Sequence, residues 1–421
     1  MAHLPVPGRD RDAWGAILNE YLLVEHNPNG THRSGVLNVL AHGAQGDGAT
    51  DDTAAIQATL DAAAPIGGVV WLAPTKNGYR CDGSLTVPPH VTLEGGYQGM
   101  RRGHKLFNDS PRGSTLLVHT TGDFLTLAHD SVLNGIEFFY PNQVTTGTPT
   151  PHGWTILVPA NQHGVTIRNV ACPNAFQLIH VDADGVLIDG VQGYPLAVGI
   201  KLTRLADVPR INNVHFNPNA FPALDPSLRA WVQSNGSCLK MDVVEELMVQ
   251  SFFGYGYLRG VWFTGDVAAF PGHSGSYGSI VNFGFDSVQE GFFIAHRGIA
   301  GRQGLSLCNG RIVPFAGVVG ARCGLKFEDT AFPNPKENPS VSLSNVNFFA
   351  PHERSIWIRP SSGARVALLG GQSTEYQNEL VLVESPSAKV RLHAVRSVDG
   401  GGPRVNNPGG GDVSDTAPIV D

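Results

Sequence analysis

Charge is scarce in this chain. Asp, Glu, Lys and Arg make up only 15% of its 421 residues, and no run of Lys or Arg stands out. Without a basic patch the electrostatic footprint of a nucleic-acid binder is missing. The net charge of −7 slightly disfavours a polyanionic ligand and makes a neutral glycan the first expectation. Low charge does not mean disorder here, because hydrophobic residues reach 42% and disordered chains are poor in them. Cysteines number five: Cys81, Cys172, Cys238, Cys308 and Cys323. They are odd in number, widely spaced and lack any CxxC pair, which argues against a disulfide scaffold and against a zinc site. Buried free thiols are expected instead, with no metal and no cofactor. No apolar run is long enough to span a bilayer, so no membrane insertion is expected. Met1 to Asp12 has no basic start followed by an apolar core, so no signal peptide is expected. The chain is then made in a cytoplasm and reaches the outside by lysis or on a larger particle.

What is abundant is glycine, with 51 residues, and proline, with 29. Turns must therefore be frequent, which suits an all-β chain of many short strands. Apolar residues alternate around an Asn, Asp or Gly corner in Val132-Leu133-Asn134-Gly135-Ile136, Val165 to Val170, Val186 to Val191, Ile211 to Val214, Gly304 to Gly310 and Val341 to Val346. From Val165 to Val186 is 21 residues, and from Val186 to Ile211 is 25. A period in the low twenties predicts one coil of a solenoid whose inward face is buried only by stacking. Asn and Gly accept the left-handed backbone that sharp corners require.

The opening Gly43-Ala44-Gln45-Gly46-Asp47-Gly48-Ala49-Thr50-Asp51-Asp52-Thr53-Ala54-Ala55-Ile56-Gln57 carries the sharpest pattern. It is followed by a helix, a Gly67-Gly68-Val69-Val70 strand and a Leu93-Glu94-Gly95 strand. This order resembles the start of pectate-lyase-superfamily and polygalacturonase-related proteins, phage tailspikes among them. The resemblance implies a single-stranded right-handed parallel β-helix with a capping helix, and it makes Asp47, Asp51 and Asp52 structural. Ahead of it, Trp14, Ile17, Leu18, Tyr21 and Leu22 share one helical face. Residues 1–38 resemble the short leaders of phage tail-fibre proteins, which implies docking to a tail or baseplate component. Three segments are expected: a leader over 1–38, the β-helix over 39–398, and a flexible or subunit-hugging Gly/Pro-rich tail over 399–421. Homotrimers are implied by the same likeness.

Stacked coils place equivalent positions about 4.8 Å apart. Retaining glycosidases hold two carboxyls roughly 5–5.5 Å apart and inverting ones roughly 6.5–9.5 Å. Carboxylates recurring at the coil period are thus candidates for hydrolysis. Asp266 and Asp286 are 20 residues apart, and Asp242 and Asp286 are 44 apart. Asp286, with Asp266 or Asp242, is the expected catalytic pair, although Asp also commonly serves turns. Trp231, Tyr255, Tyr257 and Trp154 offer stacking surfaces for sugar rings, and Arg210 and His215 offer polar contacts. Glycan hydrolysis is the favoured reading. A non-catalytic fibre or receptor-binding spacer is the alternative, and a polysaccharide lyase, with Lys201, Arg210, Lys240 or His215 supplying the base, comes third.

Overall fold

A computed structural model describes residues 12–25, 35–96, 113–221, 224–265, 275–295, 297–314, 322–328 and 338–420, with residues 6, 9 and 10 besides. Its helices are α1 (Trp14–Glu25), α2 (Thr53–Ala63) and α3 (Pro226–Asn235), and the rest of the regular structure is almost all strand. The strands gather into two long sheets, of twelve and twenty strands. Pairing within both is parallel and runs from coil to coil. Parallel crossovers in one sheet are right-handed almost without exception, and the architecture is a right-handed parallel β-helix, as the repeat predicts.

Each coil lays one strand in the twelve-stranded front sheet and then crosses the twenty-stranded sheet, which bends in its middle. The bend falls on the predicted corners. Asn169, Asn213, Asn282, Asn309 and Asn345 all have φ between 49° and 55°. Their amides join neighbouring coils: Asn169 donates to Asn134 at 2.9 Å, Asn213 to Asp189 at 2.8 Å, and Asn345 to Asn309 at 3.1 Å. Asparagine suits the corner because its short polar side chain offsets the left-handed penalty with a local hydrogen bond.

The core is a set of aligned inward columns. In the front sheet Ile156, Ile179, Ile200, Leu239, Val261 and Phe292 stack in register and are fully buried. Facing them, rings from the bent sheet pile up, with Phe252–Phe285 and Phe285–Phe292 centroids at 5.9 and 5.5 Å. Helix α2 closes the first coils by burying Ile56, Leu60 and Ala63 in that same core. Beside it, Asp52 accepts backbone N–H bonds from Gln45 and Gly46, Asp51 from Thr53 and Asp82, and Asp47 from Ala49 and Thr50. All three carboxylates serve the backbone. Cys81, Cys172, Cys238 and Cys323 are buried free thiols, and Cys308 is half-buried.

The C-terminal stretch corrects its expectation. Residues 405–406 pair with 381–382, 412–416 with 389–393, and 419–420 with 396–397. Its glycines mark tight turns of one more coil. A Cβ at Gly402, for instance, would collide with the Asn378 carbonyl. In the leader, α1 forms where the periodicity predicts it, and Trp14, Tyr21 and Leu22 are exposed. Residues 26–34 lie outside the described residues.

Candidate functional site

The nine front-sheet strands from Trp154–Val158 to Tyr376–Val383 each end in a similar five-residue unit. Examples are Val198-Gly199-Ile200-Lys201-Leu202, Arg259-Gly260-Val261-Trp262-Phe263 and Arg354-Ser355-Ile356-Trp357-Ile358. The third and fifth residues enter the core, and the first and fourth face outward. The second stays small in most coils because a ring from the bent sheet needs the space. A Cβ at Gly260 would meet Phe285 at 2.6 Å. Fourth residues therefore line up along the outer face of the sheet: His180, Lys201, Lys240, Trp262, Phe293, Lys326 and Trp357. This ridge holds cations and aromatics and no carboxylate. Lys240 and Arg259 lie 4.2 and 4.4 Å from the Trp262 ring centroid, while Lys326 and Arg354 approach Trp357 at 5.2 and 4.7 Å. The Trp262 indole N–H is buried without a hydrogen-bond partner. Glu290 anchors the ridge through Arg259 at 2.8 Å and Lys326 at 3.1 Å.

The residue immediately after each strand forms a second row at the exit edge. Asp182, Thr203, Asp242 and Thr264 follow one another there, each donating its backbone N–H to the preceding coil. The Asp242 carboxylate receives Lys201 at 3.3 Å, the Thr203 hydroxyl at 3.0 Å and the Thr264 hydroxyl at 2.7 Å. Asp182 is gripped by Arg204, whose Nε donates at 2.8 Å. Two coils separate Asp182 from Asp242, or about 9.6 Å of backbone at the usual strand spacing. His180 sits between them, with Nε2 at 3.1 Å from Thr203 Oγ1. Burial, helped by Lys201, pushes this imidazole down to about 4, so it is neutral at pH 7. Trp154 leans on it with ring centroids 4.9 Å apart.

The entry edge of the same face carries a wall. Segments 141–153 and 217–236 lengthen two coils. They are tied together by the Asp225 N–H to Thr145 O bond at 2.9 Å and the Gly147 N–H to Ser227 Oγ bond at 2.9 Å. Asp225 caps α3 by accepting from Ser227, Pro226 takes the first turn, and Leu228 and Val232 are buried.

Of the residues expected from sequence, Asp242 and Trp154 fall on this face. Asp286 does not. It lies in the bent sheet beside Tyr255 and Val313, four residues ahead of the front strand that starts at Glu290. Asp242 follows the end of a front strand, so the width of the sheet, about 17 Å for five residues, parts the two. Asp266 lies outside the described residues. Tyr257 is fully buried and donates its hydroxyl to Pro195 O at 2.9 Å, which removes it as a sugar contact. Trp231 packs from α3 towards Phe176, with centroids 6.1 Å apart, and Tyr255 accepts from Arg229 at 2.7 Å, so both belong to the wall side. Arg210 and His215 stand on the bent sheet, where His215 meets Phe253 edge-on at 5.1 Å. Linear spacing missed Asp182, His180 and Thr203, because what gathers them is coil register.

The family described as Rhamnogalacturonase A/epimerase, pectate lyase-like matches residues 36–100. The folded chain also superposes on the catalytic unit of a thermostable GH87 alpha-1,3-glucanase from Streptomyces thermodiastaticus. There the identity is 15% and the TM-score 0.54, covering 92% of this chain and 69% of that one. The chain shares the parallel β-helix fold of that enzyme. PfbA, a surface adhesin of Streptococcus pneumoniae, has a similar fold and aligns at 14% identity with TM-score 0.51, covering 88% of this chain and 93% of that one. In sequence, the chain is 38% identical over 91 residues to a capsule-specific depolymerase of Klebsiella phage K5-2. That match spans 22% of the chain and 10% of the phage protein. Among the described residues no helix is long and apolar enough to cross a membrane.

Proposed function

We propose that the outer face of the front sheet binds a polysaccharide and hydrolyses it, with Asp182 and Asp242 as the paired carboxylates. The supporting observation is their in-register placement two coils apart, about 9.6 Å at the backbone. That backbone spacing is just beyond the roughly 6.5–9.5 Å between the carboxyls of inverting glycosidases, a gap that side-chain orientation can close. One carboxyl would protonate the leaving oxygen while the other activates water on the opposite face of the sugar. Trp154, one coil before Asp182, supplies a stacking surface beside the pair. The ridge from Lys201 to Trp357 favours a glycan that carries carboxylates. This departs from the neutral glycan expected from the net charge, because the local face is cationic while the whole chain is acidic.

A second reading is glycan holding without cleavage. It draws on the ion pairs: Lys201 and Arg204 already engage both carboxylates, whose side chains are only 9% and 13% exposed. The likeness to an adhesin fits the same reading. In either case residues 1–38 attach the β-helix to a virion or tail-like particle that acts outside the host cell, with three copies together. The exposed apolar residues of α1 support such docking.

The test is reducing-end release from a panel of capsular and plant polysaccharides. Asp182→Asn and Asp242→Asn are each expected to slow it roughly 10²–10⁴-fold while binding persists. Wild-type rates in both variants would remove the pair from the chemistry. Product absorbing as an unsaturated sugar would mean elimination. Binding by the wild type with no turnover would establish the holding role.

A further inference from the structure

Three histidines stack on the turns that leave the front sheet, outside the face just described. His90, His129 and His163 are 39 and 34 residues apart in sequence, yet coil winding brings them into one column. The His90 and His129 rings meet edge-on at 5.2 Å, and those of His129 and His163 stack at 5.4 Å. Asp130 lies against this column, with Oδ2 at 3.7 Å from His90 Nδ1 and 3.8 Å from His163 Nε2. One ligand atom from each of His90, His129 and Asp130 falls within 4.8 Å of the others.

The backbone fixes this arrangement. His90 N–H donates to His129 O at 3.2 Å, Asp130 N–H to His163 O at 2.8 Å, and His129 N–H to the Gln162 side chain at 2.7 Å. His90 and Asp130 both adopt left-handed backbone, with φ of 62° and 54°, a conformation that costs side-chain-bearing residues energy and marks an over-determined position. The Asp130 carboxylate lies over Gly164, where any Cβ would strike it. Two imidazoles and a carboxylate in reach of one point are the donor set of zinc-class ions, whereas calcium and magnesium prefer oxygen alone.

We propose that His90, His129 and Asp130 bind one divalent transition ion of the zinc class, with His163 as the adjacent fourth donor. Tetrahedral bonds of about 2.1 Å require the donor atoms to close in by rotation of the partly exposed rings, which the fixed backbone permits. The ion would add a metal link between coils that strand pairing, side-chain hydrogen bonds and the shared core already join.

The test uses the full chain without an affinity tag, dialysed against micromolar Zn²⁺ at pH 7.5 and assayed for bound metal. One zinc per chain is expected, with a higher melting midpoint than in the metal-free protein. His90→Asn combined with Asp130→Asn keeps residues that tolerate left-handed backbone and should weaken binding at least about tenfold. His129→Gln, at an ordinary backbone position, should do the same and serves if the double variant folds poorly. Dialysis against Ca²⁺ should load nothing that zinc displaces. Failure of the wild type to hold zinc, or equal zinc in wild type and His129→Gln, would overturn the site.

Discussion

Asn309 holds φ at 53° on a corner of the bent sheet and accepts the Asn345 amide at 3.1 Å. Alanine there keeps the strain and loses the bond. Asn309→Ala should therefore lower stability by roughly 1–2 kcal/mol, read as an earlier midpoint in urea unfolding. Asn309→Gly restores backbone freedom and should recover most of the loss. Equal midpoints for all three proteins would show that the corner is not strained. The same reasoning explains why the fold was legible from single residues. An Asn or Gly at a fixed place in a low-twenties repeat has few uses other than a repeated left-handed corner, and the Gly-Asp-Gly-x-Thr-Asp-Asp-Thr opening supplied the cap. Asp286 shows the limit of that approach. Its distance of 44 residues from Asp242 is close to two coils, but coil count says nothing about which sheet each residue occupies.

The five-residue front strand is the element that would have corrected this in the sequence. Aligning Gln177-Leu178-Ile179-His180-Val181 with Val198 to Leu202 and Ser237 to Met241 puts His180, Lys201 and Lys240 in one column and Asp182 and Asp242 in the next. Those pairings are invisible to a fixed period because α3 lengthens one coil. The wall has its own pH sensitivity. His152 is stacked on Tyr140 at 3.8 Å and accepts the Phe176 N–H through Nε2 at 2.7 Å, while Nδ1 faces the Gly153 carbonyl at 2.8 Å. Burial pushes this imidazole down to about 4, so protonation would break the Phe176 bond. Between the unfolded value near 6.5 and about 4, the unfolded chain binds the extra proton and the folded one does not. Stability is then complete above about pH 6.5 and falls as pH drops through that window. His152→Gln should flatten this part of a melting-midpoint profile recorded from pH 7 to 4. An unchanged slope would place the sensitivity elsewhere, with His180 the next residue to examine.

At the scale of the whole molecule, stability is shared between neighbouring coils rather than pooled in one centre. Residues 405–420 cover the strands Lys389–His393 and Arg396–Val398 on their outer side. Removing them should bare parallel strand edges, which pair readily with other chains. The expected outcome is a lower melting midpoint and concentration-dependent light scattering, with the N-terminal coils still folded by far-ultraviolet circular dichroism. A truncated chain that melts and scatters like the intact one would mean that the last coil contributes nothing to the stack.

The two long excursions, 141–153 and 217–236, leave and rejoin the solenoid on the same side and clasp each other there. Neither interrupts the pairing of the strands beneath, since Val198–Leu202 still matches Ser237–Met241 residue for residue across the longer one. The exposed parts of such loops can be exchanged without disturbing the strand register, provided that Leu228 and Val232 of α3 stay in the core. If the front face binds a glycan as proposed, grafting at this rim is the expected route to a changed sugar preference.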